Sequence, residues 1–440
     1  MKRLFLTLVL VARMASAQAS IPSLSAEQWR HDLRDFVNVI TTKHADPYHF
    51  TSKAQFDEAV SELQKRIPSM SDVQIVVGFQ HLAALFGDGH TFVDTSGLYK
   101  KFPLEVYWFG GDLRVIRAAP EYQQALGAKV VAIGSVPIQT VQKRIQGLIP
   151  QGENQWHVLD QSQSLLMESE PLAALGVLPQ AGAANFTFED QVGHRFKLRV
   201  EPIAPGTANP AEIAKEPVPL PYQHPRDPLW FTYLADSKTV YADWRSYKDI
   251  ETQSERLLGF IKEHSVNRLI VDMRWNEGGN FTKGRQYLIY KLIFNPELNR
   301  AGHLFVITGR ATFSAAMTNV TDFRRETQAI LVGEPTGARP NGVMENYMFT
   351  LPESKLRVSC AMLKYRFEPG SHADAVLPDQ KIEPNWQLFL EGRDPALQWI
   401  LAQSASGSSS LAPGSGQRIL DPTVSDSAFG DDLASQRAFG

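Results

Sequence analysis

HLFVITGRATFSAAMTNV, residues 303–320, decides the fold. The apolar run from His303 to Ile307 reads as a strand, a short turn follows, and from Ser314 to Arg325 the apolar spacing becomes helical. The same strand-then-helix order recurs on both sides. Strands are expected at Thr239 to Trp244, Arg268 to Met273 and Ala329 to Val332, with helical patterns at Glu251 to His264 and Lys283 to Ile293. This alternation predicts a layered α/β domain whose helices cross over between strands. Ser314 opens one of those helices, where free backbone N–H groups stabilise an anion and a hydroxyl can serve as a nucleophile. A serine at such a junction is equally an ordinary N-cap.

Upstream, the patterns change twice. Ser25 to about Leu85 carries three helical stretches, with Ser25–Gln28 and Ser52–Gln55 spaced as capping boxes and Ser71 opening the third. From about residue 100 the period becomes two, in FPLEVYWFGGDLRVIRAA, and GAKVVAIGSVPIQTVQKRI reads as strand, turn and helix. A further helix is expected at Asp160 to Leu175, and strands at Ala184 to Glu189 and Arg195 to Glu201. Residues 202–230 are rich in proline, which removes amide donors and fixes φ, so this stretch predicts a linker or a surface strap. The expected organisation is a signal segment at 1–19, a helical unit at 20–98, a β module with connector at 99–204, a strap at 205–230, the α/β core at 231–400 and a flexible Ser/Gly-rich tail at 401–440.

The chain has 440 residues, 43% hydrophobic and 21% charged, with 44 Lys+Arg against 47 Asp+Glu for a net charge of −3. That balance argues against a charged disordered chain or a polybasic nucleic-acid binder. One cysteine, Cys360, excludes an intrachain disulfide and a Cys-rich zinc site. The first residues, with Lys2 and Arg3 before an apolar run and small residues at Ala15-Ser16-Ala17 and Ala17-Gln18-Ala19, predict a cleaved export signal rather than a stable membrane span. A periplasmic or secreted protein is therefore expected, with a homo-oligomer left open.

Two further segments bear chemistry. In VDMRWNEGGN, Gly278 and Gly279 follow a strand, and their N–H groups can cradle an oxyanion, although such a pair is also an ordinary turn. In LFGDGHTFV, His90 lies in a turn where it can act as a base near neutral pH, or simply hydrogen-bond. No H-E-x-x-H, G-x-S-x-G around Ser314, or phosphate-loop motif is present, so no metal or cofactor is expected.

Six strings in order, LFGDGHTFV (85–93), VAIGSVPI (131–138), LIVDMRWNEGGN (269–280), TFSAAM (312–317), VGEPTGARPNG (332–342) and VLPDQKI (376–382), resemble the tail-specific or C-terminal-processing serine peptidases, and more closely their tricorn-core and retinoid-binding-repeat-like branch. The resemblance covers about residues 28–390. It implies a crotonase/ClpP-like spiral core with a helical N-terminal unit and a small PDZ-like β module. It also implies Ser314 as nucleophile, oxyanion donors at Gly278, Gly279 and Ala315, and a peptide or protein substrate. Bacterial processing peptidases use a lysine about 25 residues after the serine, but Arg339 stands here and stays protonated, so it cannot be the base. The resemblance then implies His90 as base. Its orienting acid falls near His372, with Asp374 preferred over Glu368, and Arg339 and Asn341 are assigned to substrate binding. The alternative is a catalytically silent relative that binds a peptide or small ligand.

Overall fold

Strands buried along their whole length, Thr239–Trp244, Arg268–Asp272 and Leu304–Thr308, form the centre of the chain. The structure, a computed structural model, describes residues 21–403 apart from 206, 208–212 and 215. The expected signal segment and residues 404–440 of the expected tail lie outside the described residues.

Helices α1 (Ala26–Lys43), α2 (Lys53–Arg66) and α3 (Asp72–Ala84) each begin with a full capping box, from Ser25, Ser52 and Ser71 to Gln28, Gln55 and Gln74. Each capping serine contributes about 1 kcal/mol by satisfying otherwise free amides. Strand β1 (Phe92–Asp94) follows.

The next unit contains β2 (Leu104–Phe109), β3 (Asp112–Ala118), β4 (Lys129–Ile133), β5 (Val136–Pro137), α4 (Ile138–Ile145), α5 (Gln155–Leu165), α6 (Ser169–Ala174), β6 (Ala184–Glu189), β7 (Arg195–Val200) and β8 (Ile213–Ala214). Its sheet runs β2-β3-β4-β6-β7, with β5 and β8 attached at β4 and β3. The single helix expected at Asp160 to Leu175 is two helices. Pro171 has no N–H for an upstream carbonyl, so a continuous helix fails and a new one starts at Ser169 with Pro171 in its first turn.

Strands β9 (Leu229–Leu234) and β10 (Thr239–Trp244) lead through α7 (Ile250–Glu263) to β11 (Arg268–Asp272). Helix α8 (Phe281–Gly284) passes through a π turn into α9 (Tyr290–Ile293), then come β12 (Leu304–Thr308), α10 (Ala315–Glu326) and β13 (Ile330–Gly333). Strands β14 (Asn341–Thr350), β15 (Arg357–Arg366) and β16 (Gln380–Lys381) and helices α11 (Trp386–Leu390) and α12 (Pro395–Ala402) complete the described chain, so residues 401 and 402 are helical.

The six-stranded sheet runs β16-β13-β12-β11-β10-β9 and is parallel except for β9. One face, including Val240, Leu269, Val271, Val306 and Leu331, packs on α7, α9 and α10. The other, including Tyr241, Ile270, Phe305 and Val332, packs on α12. Burial on both faces is why these strands read as continuous apolar runs.

The hairpin β14–β15 leaves this sheet. It pairs with β1 and inserts Leu351, Leu356, Val358 and Cys360 into the core of the N-terminal helices. Phe92 aligns with Ser359, so the GDGHT turn just before β1 is fixed against a hairpin that follows Ser314 in sequence. Near Pro221 and Tyr222 the proline-rich stretch packs down: Tyr222 is buried against Trp275 and Phe389, and the Trp275 indole donates to the Pro221 carbonyl at 3.0 Å.

Candidate active site

Two loops at the carboxyl ends of neighbouring parallel strands, β11 and β12, are laced together. The Thr312 hydroxyl donates to the Met273 carbonyl (2.9 Å), and the Phe313 N–H donates to the Asn276 carbonyl (3.0 Å). Fully buried Asn276 donates through Nδ2 to the Trp244 carbonyl and accepts the Gly278 N–H at 3.0 Å. The lacing forces Ser314 into φ 50°, ψ −124°, a conformation outside the ordinary range of a residue with a Cβ. Strain of this kind costs on the order of 1–3 kcal/mol and concentrates at functional sites. Ser314→Gly is therefore expected to be more stable than Ser314→Ala by about 1 kcal/mol, read from chemical denaturation; equal stabilities would show that the turn holds no strain.

His90 arrives from the other side of the molecule. Its Nε2 lies 2.9 Å from Ser314 Oγ, across 224 positions of sequence, and its ring stacks on Phe313. For Nε2 to accept from the serine hydroxyl, the proton of the neutral imidazole must sit on Nδ1. Burial pushes the histidine down to about 4, opposed by the nearby charge of Asp88. The ring is thus neutral, and able to accept a proton, near neutral pH. On the far face of Phe313 stacks His157, which burial also lowers to about 4, with a further push from His90.

His90 Nδ1 is buried and has no hydrogen-bond partner among the described residues. The expected orienting acid is therefore not in place: Asp374 is exposed, and its backbone carbonyl rather than its carboxylate is held, by Asn154 Nδ2 at 2.7 Å. The acid that does approach is Asp88, whose Oδ1 accepts the His90 backbone N–H at 3.1 Å. Its Oδ2 meets buried His44 Nε2 at 2.8 Å. His44 Nδ1 accepts the Asp46 N–H, so the His44 proton is on Nε2 and is donated to Asp88.

The oxyanion candidates divide. The Ala315 and Gly279 amides have no protein partner among the described residues, whereas the Gly278 amide is taken by Asn276. Gly278 contributes by its missing side chain: at φ 113°, a Cβ would lie 2.8 Å from Ser314 Cβ and 3.1 Å from the Ala315 nitrogen. The two assigned substrate-binding residues are committed elsewhere. Arg339 Nη2 donates to the Glu153 carbonyl at 3.0 Å, and Asn341 Nδ2 donates to the carbonyls of Glu368 and Ser371. Both fasten loops, and neither is among the residues lining the cleft.

That cleft, about 350 Å³, is lined by Ser314, His90, Glu277, Met344 and Tyr365 among others. A larger cavity of about 950 Å³ continues from it, the two sharing Gly89, Phe92, Glu277, Phe313 and Asn346. Among the described residues no cluster of His, Cys, Asp or Glu is arranged to hold a metal ion. His44 and Glu153 escaped sequence reading because the contacts that matter, 44 and 64 positions apart, carry no local signal.

No protein-family model matches the chain, and no curated protein matches it. Solved structures do. A CPAF mutant superposes with a TM-score of 0.60 at 12% identity, covering 88% of this chain and 100% of that one. Mature CPAF complexed with lactacystin gives 0.59 at 12%, covering 85% and 97%. The photosystem II D1 C-terminal processing protease gives 0.41 at 13%, covering 82% and 94%. What the chain shares with CPAF is the fold, and sharing it fits the tail-specific peptidase family that the sequence motifs resemble.

Proposed function

We propose that the chain is a serine peptidase that cleaves peptides or proteins through an acyl-enzyme on Ser314. The observation that carries this is the 2.9 Å contact between His90 Nε2 and Ser314 Oγ at the mouth of a helix whose first amide has no partner among the described residues. His90 takes the hydroxyl proton as Ser314 Oγ bonds to the substrate carbonyl carbon, and the carbonyl oxygen gains negative charge facing the Ala315 and Gly279 amides. His90 then gives the proton to the leaving amine as the C–N bond breaks, and a water molecule, deprotonated by His90, releases the acyl group.

The six-stranded domain is read as a crotonase/ClpP-like spiral, and the β2–β8 unit as PDZ-like. The cavity that continues from the cleft gives an extended peptide room on one side of the scissile bond. Among the described residues no helix is long and apolar enough to cross a membrane; export to the periplasm or medium is proposed from the first nineteen residues of the sequence. The test is a fluorophosphonate probe on the purified chain together with an unbiased peptide mixture read by mass spectrometry. Phosphonylation confined to Ser314, with peptide cleavage that the probe abolishes, is the expected result. A chain that neither reacts nor cleaves between about pH 5 and 9 would point instead to a silent binding relative.

A further inference from the structure

Glu153 has no part in the chemistry above, yet it lies where the three parts of the molecule meet. It sits in the loop before α5, is 4% exposed, and its Oε1 accepts the N–H of Gly89, the residue immediately before His90, at 2.9 Å. Its Oε2 faces the N–H of Arg339, in the loop after β13, at 3.4 Å. The next residue, Asn154, extends the clamp by donating to the carbonyls of Thr336 and Asp374. One buried carboxylate thus ties the base-bearing turn of the N-terminal unit to the loops of the α/β core.

We propose that Glu153 is a positioning residue for His90, acting through the Gly89 amide to hold the imidazole within reach of Ser314. This rests on the peptidase reading for its catalytic consequence, but not for its geometry. Among the described residues His90 has no partner at Nδ1, so apart from the Ser314 contact at Nε2 its ring is aimed by its backbone and by stacking on Phe313. The backbone is pinned at two successive amides, Gly89 by Glu153 and His90 by Asp88. Only an ionised carboxylate offers acceptors on both oxygens; protonation turns one of them into a donor facing another donor.

The charged groups facing Glu153 are Asp88 from the N-terminal unit and Arg339 from the core loop. Burial pushes its carboxyl up to about 7, and Asp88 adds to this, against the two backbone N–H groups and Arg339, which favour the charged form. The clamp therefore tightens as pH rises through about 7, well above the histidine's own value of about 4.

The experiment measures kcat and KM from pH 5 to 9 for the wild-type chain and Glu153→Gln, with hydrogen exchange of residues 87–91 followed in both. The wild type is expected to show kcat rising through about pH 7, with protection of the Gly89 amide rising in parallel. In Glu153→Gln the limb near 7 disappears, kcat falls about tenfold with KM changed less than twofold, and Gly89 exchanges faster. A wild-type profile with no limb near 7, or a Glu153→Gln variant with unchanged kcat and limb, overturns the proposal. If the wild-type chain cleaves nothing, the peptidase reading fails separately and exchange decides: pH-independent protection of Gly89 in the wild type overturns the clamp. That last measurement needs no variant to fold.

Discussion

Ser314→Ala is expected to lower kcat/KM for peptide cleavage by about 10⁴-fold or more, and His90→Ala by a similar factor. In the proposed mechanism the two side chains act as one unit. Without the hydroxyl there is no oxygen to form the acyl bond, and without the imidazole 2.9 Å away the hydroxyl keeps its proton at neutral pH. The double variant is therefore expected to be no slower than either single one, whereas independent contributions would multiply. Steady-state rates of the three variants, each checked for native hydrogen exchange, settle the point. A double variant slower than both singles by a further large factor would mean that His90 and Ser314 serve different steps. On the same proposal, the residual rate in all three comes from the Ala315 and Gly279 amides, which survive the substitutions.

The second large effect concerns stability. Arg310 and Glu334, 4% and 6% exposed, face each other across the turns that follow β12 and β13, with Nη2 to Oε1 at 2.5 Å and Nε to Oε2 at 3.2 Å. Tyr107, from the β2–β8 unit, donates its hydroxyl to Glu334 at 3.3 Å while its ring lies under the guanidinium. Arg310→Ala leaves a buried carboxylate facing only a phenol, and a loss of about 3–5 kcal/mol in urea unfolding is expected. Arg310→Met combined with Glu334→Leu should recover most of it, because two buried charges are then removed together. A loss below about 1 kcal/mol for Arg310→Ala would show that water reaches Glu334 and replaces the guanidinium.

Local patterns made most elements legible. The capping serines Ser25, Ser52 and Ser71 announce the first three helices, and the apolar runs of β10 to β13 are read directly because burial on both faces leaves no polar alternation to misread. The strand-to-helix junction at Ser314 was also legible, since the change of period falls on the residue itself. What failed was long-range. Only register points to Asp374, and register says nothing of whether a side chain turns inward; here the backbone of that loop is captured by Asn154 and the carboxylate stays outside. Arg339 has the chemistry to bind a carboxylate and Asn341 is assigned with it to substrate binding, but their donors satisfy backbone carbonyls that a sequence does not display.

The β14–β15 hairpin bears on how the chain is made as well as on how it stands. The N-terminal helices lack Leu351, Leu356, Val358 and Cys360 until the ribosome has delivered residues 341–366, so their core must wait, open on one side, while some 250 intervening residues emerge. His90 belongs to that waiting part and Ser314 to the late one. A chain grown only to residue 220 therefore holds His90 without Ser314, and one grown to residue 340 holds both but lacks the hairpin against which the His90 turn is fixed; on the proposed mechanism, the pair is joined only once that late hairpin has been made.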